Sequence, residues 1–272
     1  MIRTLLISFF LLISILSFVN ICQSFCFKPT YKDKPISIAE DFNPDLYKIY
    51  NVKTLISYVD SLYGSSVIQP KDSLHYANFM AKTVRNRFYH GLCLYTWKEN
   101  WVLYLLNPIH PHSLAIVKPN DILKFPDALC SQQAIVAMIA LRNKGFTYRK
   151  VGFFDKKNKG GHFTYEIKLK DGWHFYDMDL EPDFNLLVKN NRPSIESLSQ
   201  NDKLREKAYE KFDTNIKVDL LKSYSNNYIE NEFPARNMLF FHDVTRILSY
   251  WLWLILIIIY YLYFKIKSLK TK

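Results

Sequence analysis

The sequence predicts an α+β fold: N-terminal helices packed on an antiparallel sheet, with a transmembrane helix at the C-terminus. Three observations predict it. Apolar residues recur at three- and four-residue spacing through the first half of the chain. Two strand-like stretches follow between His162 and Met178, joined by the turn signal Lys170-Asp171-Gly172. Ile247 to Phe264 then reads ILSYWLWLILIIIYYLYF, about 18 residues without a charge, the length a bilayer helix needs. Helices first and strands after give α+β rather than an alternating parallel architecture.

Residues 27 to 50, with Pro29, Pro35 and Pro44, read as an extended lead-in. Val52 to Tyr63 places Leu55, Val59 and Leu62 on one helical face, and Gly64 is a stop signal. Lys71 to Tyr89 repeats the pattern with Leu74, Ala77, Met80, Val84 and Phe88. Thr96 to Leu106 is a third helix, stopped by Asn107-Pro108. Ile109 to Phe125 reads as a loop. The central helix runs from Pro126 to Gly145, with Ala134, Ala137, Met138 and Leu141 on one face and Gly145 beyond its end. Phe146 to Phe154 is a strand and Lys156 to Gly161 a turn-rich loop. His162 to Leu169 alternates, with Phe163, Tyr165, Ile167 and Leu169 on one face, and Trp173 to Met178 is the return strand. Ser194 to Phe212 reads as a polar, solvated surface helix. Asn215 to Arg236 either folds onto the core or serves as a stalk. Met238 onward runs helically into the membrane segment.

Composition narrows the function classes. A hydrophobic content of 49% with 16% aromatics supports a packed core. The net charge of +11 is concentrated in part at the ends, where Arg3, Lys265, Lys267, Lys270 and Lys272 flank the apolar segments. The remainder is spread without a dense basic run, so no nucleic-acid partner is expected. The four cysteines, Cys22, Cys26, Cys93 and Cys130, match no zinc framework. A Cys26–Cys93 disulfide is possible in an exported domain. His110 and His112 lie one residue apart, but no third ligand is near them, and a surface loop accounts for them better.

Both ends point to a membrane. Leu5 to Ile21 is a nearly unbroken apolar run behind Arg3, either a signal peptide with small residues Cys22 and Ser24 before a cleavage site, or an uncleaved anchor. In the C-terminal segment Trp251, Trp253, Tyr260, Tyr261 and Tyr263 lie towards the ends, as interfacial aromatics do. The lysine-rich tail and Arg3 both belong on the cytoplasmic side by the positive-inside rule. The expected organisation is therefore a signal or anchor over 1–24, an extracytoplasmic domain over 25–245, a transmembrane helix over 247–264 and a basic cytoplasmic tail over 265–272.

The chemistry gathers between Cys130 and Asp179. A cysteine at a helix start meets unpaired backbone N–H groups and the positive end of the helix dipole, which favour thiolate and can hold an oxyanion. His162 would serve as base and then acid, and a carboxylate on the neighbouring strand would orient its ring. Two registers are open. A two-residue Asp171-Gly172 turn sets His162 opposite Glu181. A loop over Leu169 to Gly172 sets His162 opposite Asp179 and diagonal to Asp177, within side-chain reach. Asp177 and Asp179 share a face in either case, so the pattern leaves both available as the orienting carboxylate.

The run Cys130-Ser-Gln-Gln, Leu141-Arg, Lys144-Gly145-Phe146, Arg149-Lys-Val-Gly152, Gly161-His162, Glu166, Gly172-Trp173 and Asp177 resembles the transglutaminase-like superfamily over residues 120 to 182. The resemblance implies a papain-like core with a Cys130–His162–Asp177 triad, since the family pattern places its aspartate four positions after a tryptophan. The family's usual Asp-Pro is replaced by Asp177-Met-Asp-Leu-Glu-Pro182. In some members an upstream tryptophan supports the oxyanion. Trp101 is a candidate for such a place here, although a core aromatic on an amphipathic helix describes it better. Gln132 and Gln133 could support the site or simply face a helix surface. The resemblance implies a thioester enzyme acting on amides of a peptide or protein, hydrolysis ahead of cross-linking, with no cofactor or metal. The alternative is a non-catalytic binding or assembly module of a membrane-bound system that keeps the fold.

Overall fold

A computed structural model describes residues 2–26, 42–66, 72–154, 161–180, 183–210, 223–226 and 228–270. The loop expected from Lys156 to Gly161 lies outside these residues up to Gly160, as do most of the proline-rich lead-in and residues 211–222. The fold is α+β, and its chain divides into two compact units. One comprises Met1–Lys28, Leu94–Ile116 and Ala235–Lys272; the other comprises Pro29–Cys93 and Val117–Pro234.

The larger unit carries the sheet. A 3₁₀ turn at Pro44–Lys48 precedes α2 (Val52–Ser65) and α3 (Ser73–Arg87), followed by the short strand β1 (Tyr89–His90). After α5 (Pro119–Ile122) and β2 (Asp127–Ala128) comes α6 (Cys130–Asn143). β3 (Thr147–Phe154), β4 (Gly161–Leu169) and β5 (Gly172–Tyr176) follow, then α7 (Phe184–Lys189), α8 (Ile195–Gln200), α9 (Asp202–Ala208) and β6 (Tyr224–Ser225). The main sheet is antiparallel in the order β5-β4-β3-β6. Helix α6 packs against β3 and β4, and α2, α3 and α5 pack on α6.

Local chemistry explains the boundaries. Asn51 caps α2 by accepting from the Thr54 N–H at 2.8 Å, while Thr54 Oγ1 accepts from the Asn51 N–H at 3.2 Å, a reciprocal capping box. Helix α6 ends where Gly145 takes φ +85, with the Gly145 N–H on Arg142 O at 2.9 Å and the Phe146 N–H on Leu141 O at 3.1 Å. This double closure is the Schellman stop, and a Cβ at Gly145 would be strained by its backbone alone.

The central helix begins four residues later than its sequence pattern suggests. Asp127 and Ala128 pair in parallel with Tyr89 and His90, which keeps the backbone extended up to Leu129. Cys130 is therefore the first helical residue. The third helix also shortens: Thr96 to Asn100 forms a hydrogen-bonded turn, and only α4 (Trp101–Leu106) is helical. The stretch from Ser194 onward is two short helices rather than one solvated helix. Ile195, Leu198, Ala208 and Tyr209 from it are buried with Val151, Phe153, Phe175 and Leu187 in one core cluster. β6 adds a strand from the stretch read as packing segment or stalk.

The smaller unit is built from α1 (Ile2–Cys26), α4 and α10 (Arg236–Lys270), which pack on one another. The segments Ile7–Phe25 and Arg236–Tyr263 are each long and apolar enough to cross a membrane. Their outward residues, such as Leu11, Ile15, Phe18, Ile258 and Ile259, are exposed apolar groups. The residues from Leu94 to Ile116 leave the larger unit's sequence and belong here.

Candidate functional site

Cys130 opens α6, and Gln132 fixes the backbone around it. Its Oε1 accepts from the Cys93 N–H at 3.0 Å and the Leu129 N–H at 3.2 Å, and its Nε2 donates to Cys93 O at 2.8 Å. Cys93 itself is a buried thiol, and the Cys26 side chain of the expected disulfide lies outside what the structure describes. Cys130 is partly accessible. The N–H groups of the first helical turn have no acceptor within the helix.

His162 stands second in β4, with its ring stacked on Phe153 of the adjacent strand at 5.7 Å between centroids and 22° between planes. Its Nε2 lies 2.7 Å from Asp177 Oδ2, and a ring nitrogen lies within 4.8 Å of Cys130 Sγ. The sheet has the register that permits this. Leu169 pairs with Gly172 and Tyr165 with Tyr176, leaving Lys170-Asp171 at the turn. Extended past the strand end, that pairing sets His162 opposite Asp179 and diagonal to Asp177.

Asp177 lies just beyond β5 rather than within it. It is fully buried, and both its oxygens are occupied. Oδ2 accepts from His162 and from the Tyr209 hydroxyl at 3.0 Å. Oδ1 accepts from the backbone N–H groups of Asp179 at 3.2 Å and Leu180 at 3.0 Å. The aspartate thereby closes its own turn. Arg85 Nη1 donates to Met178 O at 2.9 Å and steadies the same turn.

The two carboxylates have different partners. Asp179 Oδ1 meets His90 Nδ1 at 2.7 Å and Gln133 Nε2 at 3.2 Å. Gln133 Nε2 also donates to Ala128 O at 3.0 Å, so the amide orientation follows from two acceptors on one side. The Asp179 side chain is 4% exposed, whereas His90 is 52% exposed. One donor atom from each of Cys130, His162 and Asp179 falls within a common 4.8 Å. Among the described residues this is the only cluster of three or more such side chains with the spacing to hold a metal ion.

Electrostatics favour an ion pair. Burial opposes charge on His162, but the charge and hydrogen bond of Asp177, reinforced by Cys130, outweigh it and raise the imidazole to about 10. Burial likewise pushes Asp177 up, and is outweighed by His162, the Leu180 N–H and Tyr209, so its carboxyl is held below the ordinary range.

The supporting residues extend outward. Glu166 is buried, accepting from Arg149 Nε at 2.6 Å across the strand pair and from the Ile195 N–H at 2.8 Å, which joins the sheet to the start of α8. Arg87 donates to Ile49 O at 2.9 Å, Leu123 O at 2.7 Å and Phe125 O at 3.2 Å, fixing the lead-in to Cys130. Burial lowers the Arg87 guanidinium to about 10.

Trp101 belongs to the smaller unit, where it is buried and its indole N–H donates to Ser249 O at 2.9 Å. His110 also lies there, edge-on to Phe241 at 5.7 Å. Tyr209 and His90 were not signalled by sequence. Tyr209 sits in the charged run Leu204-Arg-Glu-Lys-Ala-Tyr209, whose apolar spacing is too sparse to mark a buried side. His90 has only the neighbouring Gly91 to distinguish it.

The chain matches no protein-family model, no curated protein and no solved structure.

Proposed function

We propose that this chain is a membrane-anchored thiol enzyme with a transglutaminase-like, papain-like core, acting on amide bonds of peptides or proteins. The observation that carries this reading is the Cys130–His162–Asp177 line, in which a helix-start thiol lies beside an imidazole held at 2.7 Å by a buried carboxylate. Cys130 gives its proton to His162 as Sγ adds to the amide carbonyl, and N–H groups of the α6 N-terminus receive the oxyanion. His162 protonates the departing nitrogen as the C–N bond breaks, leaving a thioester. Water then attacks the thioester while His162 takes its proton, releasing the acid and the thiol. An amine in place of water gives transfer; hydrolysis is the favoured outcome.

The two apolar helices support membrane anchoring, with the N-terminal one as a signal peptide or a retained anchor. Arg3 and the lysines after Phe264 support a cytoplasmic C-terminus and an extracytoplasmic larger unit.

The test is alkylation of the full chain in detergent with iodoacetamide, alongside a peptide-amide screen on intact membranes against Cys130→Ala. Expected are Cys130-dependent turnover and an alkylation rate at pH 7 that falls about tenfold or more in His162→Ala. Alkylation unchanged by His162→Ala would remove the catalytic reading.

A second reading is favoured by the position of Asp179. Cys130, His162 and Asp179 have the spacing of ligands to a thiophilic cation, which suits a non-catalytic module of a membrane-bound system. Stoichiometric Cd²⁺ uptake with a Cys130-dependent thiolate absorption band, and no turnover, would favour that reading.

A further inference from the structure

The segment Leu94–Ile116 is closed at its base by the antiparallel bridge Leu94↔Ala115 and by the Tyr95 N–H on Leu114 O at 2.9 Å. His242 Nε2 on α10 lies 2.7 Å from Ser113 O and holds its return limb. Inside the hairpin, the six-residue α4 has each of its first three N–H groups taken by a side chain. The Trp101 N–H donates to Asn20 Oδ1 of α1 at 3.1 Å, the Val102 N–H to Ser249 Oγ of α10 at 3.1 Å, and the Leu103 N–H to its own cap Asn100 Oδ1 at 3.1 Å. Asn100 is itself fixed by Ser249 Oγ at 2.8 Å and Thr245 Oγ1 at 2.9 Å. Asn20, Asn100, Thr245 and Ser249 are all buried.

Helix ends in water need no such provision, because water satisfies the free N–H groups. In apolar surroundings every backbone polar group must find an internal partner. Two of the three caps here come from the helices long and apolar enough to span a membrane. The outer side of the hairpin matches. Tyr104, Leu105 and Ile109 are 47%, 63% and 71% exposed, and Asn100 to Ile109 contains no charged residue. Trp97 and Tyr104 add the amphipathic rings that favour the headgroup level.

We infer that the hairpin around α4 is a lipid-contacting element, seated in the bilayer interface beside the ends of α1 and α10 with Leu105 and Ile109 towards the acyl chains. The inference rests on the reading of α1 and α10 as membrane helices and is independent of the thiol chemistry.

The test uses the unmodified full chain in phosphatidylcholine nanodiscs carrying a photoactivatable diazirine high on the acyl chain. Adducts are mapped by peptide mass spectrometry. Expected are adducts on α1, on α10 and between Tyr104 and Ile109, with the hairpin adducts reduced at least fivefold in a Leu105→Asp, Ile109→Asp variant. Adducts on α1 and α10 with none in the hairpin overturn this inference and leave the anchor reading intact. No adducts on any of the three overturn both.

Discussion

The Tyr209 hydroxyl donates at 3.0 Å to the same Asp177 oxygen that lies 2.7 Å from His162 Nε2. A residue 32 positions downstream thus fixes the carboxylate from the side opposite its own turn. A hydrogen bond to a buried charge contributes about 1.5–3 kcal/mol. Tyr209→Phe is expected to lower unfolding stability by that amount in urea titration, while Cys130 alkylation stays within about tenfold of wild type. An unchanged midpoint would show that the hydroxyl does not hold Asp177.

The Asp177–His162 pair makes stability depend on pH at both ends. His162 has a folded value near 10, above its unfolded 6.5, so its contribution is complete below about 6.5 and is lost as pH rises through about 10. Asp177 has a depressed folded value, so its contribution is present above the ordinary carboxylate value of 3.8 and is lost as pH falls through the folded one. Thermal melts from pH 3 to 11 should fall at both extremes, and His162→Gln should remove the alkaline fall attributable to this pair.

The two aspartates should respond differently. Asp177→Asn removes the charge that raises His162, so the imidazole titration seen by NMR drops, and any turnover falls by about 10³–10⁴-fold. Asp179→Asn leaves the His162–Asp177 contact in place, and the imidazole should keep its raised titration. A drop in both variants would mean that Asp179 shares the orienting role.

Gly161 precedes His162, and a Cβ there would lie 2.7 Å from Phe153 O. Gly161→Ala must push β4 away from β3 at the site's edge. The expected cost is about 1–3 kcal/mol by denaturant titration, with slowed alkylation of Cys130 because the imidazole moves.

Arg87 offers a test away from the reacting atoms. Arg87→Met leaves the carbonyls of Ile49, Leu123 and Phe125 without this donor, at about 1–3 kcal/mol for each that stays dry. Calorimetry should show a loss of at least about 3 kcal/mol.

Sequence by itself named Cys130 and His162 as candidates and left Asp177 and Asp179 open by pattern, and it determined the α+β class, the two apolar helices and the helix end at Gly145. These are local properties, set by periodicity, by charge-free length and by glycine's tolerance of positive φ. Tertiary structure decided what depends on partners distant in the chain. The β1–β2 pairing holds Asp127 and Ala128 extended and makes Cys130 the first helical residue. The register around Lys170-Asp171 brings His162 to the carboxylates, and the turn after β5 gives Asp177 to the imidazole while His90 and Gln133 take Asp179. Residues 94–116 joined the apolar unit because Asn20, Thr245 and Ser249 supply hydrogen bonds that no local pattern announces. A hydrogen bond between residues far apart in sequence leaves no periodic trace, so its consequences appear only once the chain has folded.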